Sequence, residues 1–145
     1  MKTIPKYSFV LPAFNESACI ESMTRSLNAL ESQIDGPFEI IWVNDGSTDD
    51  TAEQLDALAE KFEHIRVIHF SRNFGHMAAL CAGLEAARAT DAVITLDSDG
   101  QHPPELIPEL IALWKQGADI VQAIREDARE SPIIKRVTSW AFYTM

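Results

Sequence analysis

A chain of 145 residues, 46% hydrophobic and 23% charged, is long enough for one domain with a real core. Its formal net charge of −10 argues against a general nucleic-acid binder, whose surface must be basic to neutralise phosphates, while leaving room for local basic sites. Residues 1–10 lack the apolar core of a secretion signal, and no run reaches the roughly 18 apolar residues that a membrane span requires.

Strand and helix patterns alternate along the chain. Tyr7–Leu11 reads as a buried strand closed by Pro12, and a helix is expected over 16–33. The turn Asp35-Gly36-Pro37 leads into a second strand, Phe38–Val43. Ser47-Thr48-Asp49-Asp50 has capping-box spacing and predicts a helix running to Phe62. Ile65–Phe70 is a third strand, and 75–89 a helix rich in small residues suited to close packing on a sheet. Ala92–Leu96 is a fourth strand, Pro103-Pro104 opens a helix to Gln116, and Ala118–Ile124 reads as a fifth strand. A last helical pattern begins near Ile133 and meets no Gly or Pro stop before Met145, which predicts a truncated, N-terminal piece of a longer protein.

Nearly continuous apolar strands alternating with helices predict an α/β fold, a mostly parallel sheet covered on both faces, in a single domain over 1–145. Cys19 and Cys81 lie far apart, in no CxxC pattern and within predicted helices. They read as reduced core thiols of a cytosolic protein.

In such a sheet, ligands bind at the carboxyl ends of the strands. The first end carries Pro12-Ala13-Phe14-Asn15-Glu16, the second Asn44-Asp45-Gly46-Ser47, the third Ser71-Arg72-Asn73-Phe74-Gly75. The fourth carries Asp97-Ser98-Asp99-Gly100-Gln101-His102-Pro103-Pro104-Glu105, the most telling stretch of the chain. In extended backbone Asp97 and Asp99 point the same way, and two like charges so close are costly unless a cation or a ligand sits between them; taken alone, the pair reads equally as solvated loop acids. One rim thus gathers Glu16, Asp45, Asp97 and Asp99. Asn15 and Ser47 read as helix N-caps, and Asp45-Gly46 alone as a turn.

The available ligands are carboxylate and amide oxygens, including Gln101, which suits Mg2+ or Mn2+ rather than a soft metal. Neither GxxxxGK[ST] nor GxGxxG is present, which argues against a P-loop ATPase and a dinucleotide enzyme. A diphosphate would be neutralised by the metal and by arginines, for which Arg72 and Arg125 stand after the third and fifth strands.

Val10-Leu11-Pro12-Ala13-Phe14-Asn15-Glu16, Val43-Asn44-Asp45-Gly46-Ser47-Thr48-Asp49 and Leu96-Asp97-Ser98-Asp99 resemble, in order and spacing, the family 2 glycosyltransferases of GT-A fold. Arg72-Asn73-Phe74-Gly75 and Gln101-His102-Pro103-Pro104-Glu105 resemble the polyprenyl-phosphate, dolichyl-phosphate mannose synthase-like branch. The resemblance covers essentially the whole chain. It implies a GT-A three-layer sandwich and a catalytic set of Asp97, Asp99 and Arg125. Pro12, Phe14 and Glu16 would line the nucleotide pocket, and Val43 and Asp45 would contact the base. Asp97 and Ser98 would meet the ribose and diphosphate, with Arg125 at the family's basic position. Asp99 and Gln101, with Asp97, would hold the metal. Gly100 and Ala123 depart from the family pattern.

The implied reaction moves a sugar, with inversion, from a nucleotide-sugar donor, UDP rather than GDP, to a polyprenyl phosphate of undecaprenyl type. A phosphate acceptor is already ionised near neutral pH and needs no strong base, and no carboxylate has a clear claim to be one. Arg125, Arg129, Lys135 and Arg136, with Ile133, Ile134, Val137, Trp140, Ala141, Phe142 and Tyr143, fit an ordinary core-packed helix with a solvated face; the resemblance implies instead an amphipathic helix at a membrane surface. The full-length protein is then expected at the inner face of the cytoplasmic membrane. The alternatives are a family 2 transferase with a sugar or polysaccharide hydroxyl acceptor, and a module that binds nucleotide-sugar without turnover. A receiver-type signalling domain would want a Lys ending the fifth strand, where Gln122-Ala123-Ile124-Arg125 stands.

Overall fold

A computed structural model describes residues 4–99 and 103–123. Strands β1 (Tyr7–Ala13), β2 (Phe38–Asn44), β3 (Ile65–His69) and β4 (Ala92–Thr95) form a parallel sheet in the order β3-β2-β1-β4. Helices α1 (Ser17–Asn28), α2 (Thr51–Lys61), α3 (His76–Ala86) and α4 (Ile107–Lys115) connect and cover it, with 3-10 turns at Ala29–Ser32 and Pro104–Leu106. This is the expected α/β architecture. The two central strands are buried almost throughout, as continuous apolar runs in a parallel sheet should be.

Alternation along β1 sorts the two faces. Tyr7, Phe9, Leu11 and Ala13 point into the larger core with Ile20, Met23, Leu27, Trp42, Leu55, Ile107 and Ile111, so α1, α2 and α4 share that side. Val10 points to the other side, where Ile41, Val43 and Ala79 build a thinner core under α3. The small residues of α3 serve this layer. A Cβ added at Gly83 would stand 2.3 Å from Val10 Cγ1 and 3.1 Å from Val43 Cγ2.

Pro12 does not close β1, which runs on to Ala13. Val10 accepts from the Leu96 N–H and so faces β4; Pro12, two residues on, faces the same way. The β4 ladder ends at Val10↔Thr95, so the missing proline N–H removes no ladder bond.

At the strand starts, far from the predicted rim, buried Glu39 accepts from Ser8 Oγ (2.7 Å), the Arg88 N–H (2.8 Å) and Arg66 (3.1 Å). Burial pushes this carboxyl up, but the hydrogen bonds outweigh it and hold it below its ordinary range. Arg66 also donates to the Ala86 carbonyl and Ala89 N–H donates to Ser8 Oγ. Those bonds stop α3 at Ala86, three residues short of the sequence expectation.

The expected fifth strand is absent over the described residues 118–123. Residues 119–123 and β4 line one groove of about 580 Å3, together with Leu106, Leu110 and Trp114. Without an adjacent edge in register, a β-branched run makes no ladder bonds, and Ile120 is 87% exposed. The cysteines are free as expected but not core residues, since Cys81 is exposed on α3 and Cys19 half-buried. Among the described residues no helix is long and apolar enough to cross a membrane.

Candidate active site

The loops after β1 and β2 are stitched together by side chains. Asn15, at φ 57°, accepts at Oδ1 from the Thr48 N–H (2.8 Å) and Thr48 Oγ1 (3.3 Å), while its own N–H donates to Ser47 Oγ (3.0 Å). Glu16 N–H donates to Thr51 Oγ1 (3.0 Å). Asp49 accepts from the Thr51 N–H (3.1 Å) and from the Ser17 N–H (3.3 Å), so one carboxylate serves the first turns of two helices. Hydrogen bonding from the Thr51 side chain first, then from Ser17 and the two backbone N–H groups, outweighs burial and holds the Asp49 carboxyl down at about 2. Asn15 and Ser47 therefore brace two loops rather than cap single helices. The capping-box residues form a turn, and α2 begins only at Thr51.

Asp45, at the end of β2, is 3% exposed. Its N–H donates to the Ala13 carbonyl, and its two carboxylate oxygens accept from the Phe74 N–H (2.7 Å) and the Gly75 N–H (2.9 Å). The loop after β3 is thereby drawn over the end of β2. It delivers His76, the first residue of α3, to a point where Nε2 lies 3.7 Å from Asp97 Oδ1.

Pro12, Ala13, Phe14, Glu16, Asp45, Asn73, His76, Asp97, Ser98 and Asp99 line one cavity of about 270 Å3 at the carboxyl ends of β1, β2 and β4. The structure thus brings together seven of the expected site residues: Pro12, Phe14, Glu16, Asp45, Asp97, Ser98 and Asp99. β4 stops at Thr95 and Ser98-Asp99 lie in a turn, so the two aspartates meet through a bend rather than through the pleat of an extended strand. Val43 is not at the cavity, because its side chain is fully buried under α3. Arg72 lies outside it as well, its guanidinium carbon 4.5 Å from the centre of the Phe74 ring. Gly100, Gln101, His102, Arg125 and the basic and aromatic C-terminal pattern fall outside the described residues. Asn73 and His76 are additional lining residues. The signal for His76 was its place directly after Gly75, at a helix start on the ligand-binding edge.

The rim's carboxylates act on one another. Burial raises the Glu16 carboxyl, and the charges of Asp99 and Asp49 raise it further. Among the described residues no three His, Cys, Asp or Glu side chains converge into a complete cage. Asp97 and Asp99 line an open cavity and offer carboxylate oxygens, the donor type that a hard divalent ion takes.

Residues 8–143 match the profile of the family described as Glycosyl transferase family 2. This chain belongs to glycosyltransferase family 2. The family 2 domain is 40% identical over 140 residues to a prophage bactoprenol glucosyl transferase homolog of Escherichia coli K12, covering 97% of this chain and 45% of that protein. It is 42% identical over 125 residues to an undecaprenyl-phosphate 4-deoxy-4-formamido-L-arabinose transferase of Pseudomonas savastanoi, covering 86% and 37%. Among solved structures it resembles glucosyl-3-phosphoglycerate synthase of Mycobacterium tuberculosis with Mn2+, UDP and glucosyl-3-phosphoglycerate bound. That match has a TM-score of 0.58 and 31% identity, covering 76% of this chain and 39% of the other. The α/β sheet is therefore a GT-A glycosyltransferase fold, and the domain spans less than half the length of the curated relatives it matches.

Proposed function

We propose that this domain binds the nucleotide-sugar donor, UDP-linked rather than GDP-linked, in a transferase that passes the sugar with inversion to a polyprenyl phosphate. The observation that carries the reading is the single cavity joining Pro12, Phe14 and Glu16 with Asp45 and the Asp97-Ser98-Asp99 turn. The relatives named for bactoprenol and undecaprenyl phosphate support the acceptor class, and the relative solved with Mn2+ and UDP supports the donor and the cation.

Pro12 and Phe14 form the apolar wall against which a base packs, and Glu16 closes the pocket at the start of α1. Each Asp45 oxygen takes one backbone N–H and keeps a lone pair able to accept from a base N–H. Asp97 and Ser98 face the ribose and diphosphate. Asp99 and Asp97 are the described residues that would hold a divalent ion, with Gln101 as the sequence's further oxygen donor. When bound, such an ion neutralises the charge that develops on the leaving diphosphate. Arg125 adds a cation to the same task. Val43 has its side chain sealed in the core, so its part in base recognition falls to its backbone.

A lipid phosphate acceptor attacks as an anion, which fits a rim whose carboxylates are committed to donor and cation. In the full-length protein the domain would work at the inner face of the cytoplasmic membrane, where the lipid phosphate is presented. The test is transfer of labelled sugar from UDP-glucose by the full-length protein. Label should reach undecaprenyl phosphate in the presence of Mn2+; label reaching only free sugars or polysaccharide would establish the hydroxyl-acceptor alternative instead.

A further inference from the structure

Two independent features tie the loop after β3 to the turn after β2. The first is the buried Asp45 carboxylate, which takes the N–H groups of Phe74 and Gly75 on separate oxygens. The second is Gly46. A Cβ there would lie 2.3 Å from the Arg72 carbonyl carbon, 2.6 Å from Arg72 Cα and 2.6 Å from the Asn73 nitrogen, at a backbone φ of +67°. Only a residue without a side chain lets the Arg72-Asn73 backbone come so close. The segment held this way runs directly into two cavity-lining residues, Asn73 and His76.

We propose that Asp45 and Gly46 act as positioning residues that clamp the 72–76 loop, and that the clamp holds Asn73 and His76 as donor-contacting groups. This rests on the cavity being the nucleotide-sugar site. It gives Asp45 a task besides reading the base, and that task does not depend on which base is bound. A carboxylate is required, because its oxygens accept both N–H groups; an asparagine would turn its own NH2 toward one of them. His76 enters the site by way of the clamp, and its approach to Asp97 links the loop after β3 to the end of β4.

The experiment uses the full-length protein with Mn2+ and measures UDP and GDP binding by calorimetry, with thermal melting as a control. Gly46→Ala leaves the Asp45 carboxylate intact and isolates the clamp. It should weaken both nucleotides by the same factor, about tenfold, as loss of hydrogen bonds to a charged group would. Combining it with Asn73→Ala and His76→Ala should add little, because the loop that carries both residues is already displaced. Asp45→Asn, which leaves the glycine in place, repeats the comparison if Gly46→Ala melts below the assay temperature. Its base-independent loss should also be non-additive with the loop substitutions. Binding by these variants within twofold of the parent, or losses that multiply with the loop substitutions, would overturn the clamp. A parent protein that binds neither nucleotide would overturn the donor-site reading itself, and with it the clamp's proposed purpose.

Discussion

Glu16 shows how one side chain reports on the whole rim. Burial and then the charges of Asp99 and Asp49 lift its carboxyl above the ordinary 4.5. A carboxyl whose folded value is raised keeps its proton longer in the folded state, so stability falls as pH rises through the window above 4.5. Glu16→Gln should remove that fall. In urea titrations the variant should gain on the parent between pH 4 and pH 7, and an unchanged difference would contradict the crowding. Asp49 behaves oppositely. Its value is lowered from 3.8 to about 2 by Thr51 and Ser17, so its contribution is present above 3.8 and is lost as pH falls through about 2. Asp49→Ala should therefore be less stable than the parent at pH 6 and nearly equal to it below pH 2. Gly83 is governed by packing rather than charge. An alanine would gain about 1 kcal/mol of helix propensity, but its Cβ would press on the fully buried, β-branched Val10. Overpacking of that kind costs about 1–3 kcal/mol, so Gly83→Ala should lower the urea midpoint.

At the scale of elements, the sheet is held from two unequal sides. The large core under α1, α2 and α4 contains Leu55, whose side chain is fully buried between α2 and the sheet. Leu55→Ala should cost about 2–5 kcal/mol in chemical denaturation, while donor affinity in the folded fraction stays close to the parent's. The thin core under α3 relies on close approach, which is why the residues that helix buries, Ala79 and Gly83, are small. The opposite ends of the sheet divide the labour. The Ser8–Glu39–Arg66 network fixes the end of α3 at the strand starts, and the Asp45 clamp fixes its beginning at the strand ends. α3 is thus pinned at both termini by buried carboxylates, and the His76 end of it belongs to the cavity.

For the molecule as a whole, apolar runs and helix patterns in the sequence place the four strands and four helices of the described residues in their observed order, with α3 legible from its small residues rather than from an apolar stripe. These patterns failed where tertiary partners decide. The 118–124 run has strand composition, yet 118–123 finds no paired edge, and Ser47-Thr48-Asp49-Asp50 has capping spacing, yet its side chains bond to the neighbouring loop. The acidic rim was legible because carboxylates at strand ends are few and chemically conspicuous. The bond pattern of Asp45 was not, since its acceptors are filled by amides 29 and 30 residues away, and no local spacing encodes such contacts. Val43 illustrates the same limit: it stands beside the site in sequence, while the pleat turns its side chain into the core. Family membership, the GT-A fold and the cavity at the strand ends support the proposed donor site, whose cation would be held by the Asp97-Ser98-Asp99 turn. The most direct measurement is calorimetry of UDP binding to the full-length protein, with and without Mn2+, in the parent and in Asp99→Ala. Mn2+ should tighten binding in the parent, and Asp99→Ala should lose that gain by about tenfold or more while melting like the parent. Equal Mn2+-dependent affinity in the two proteins would contradict the account.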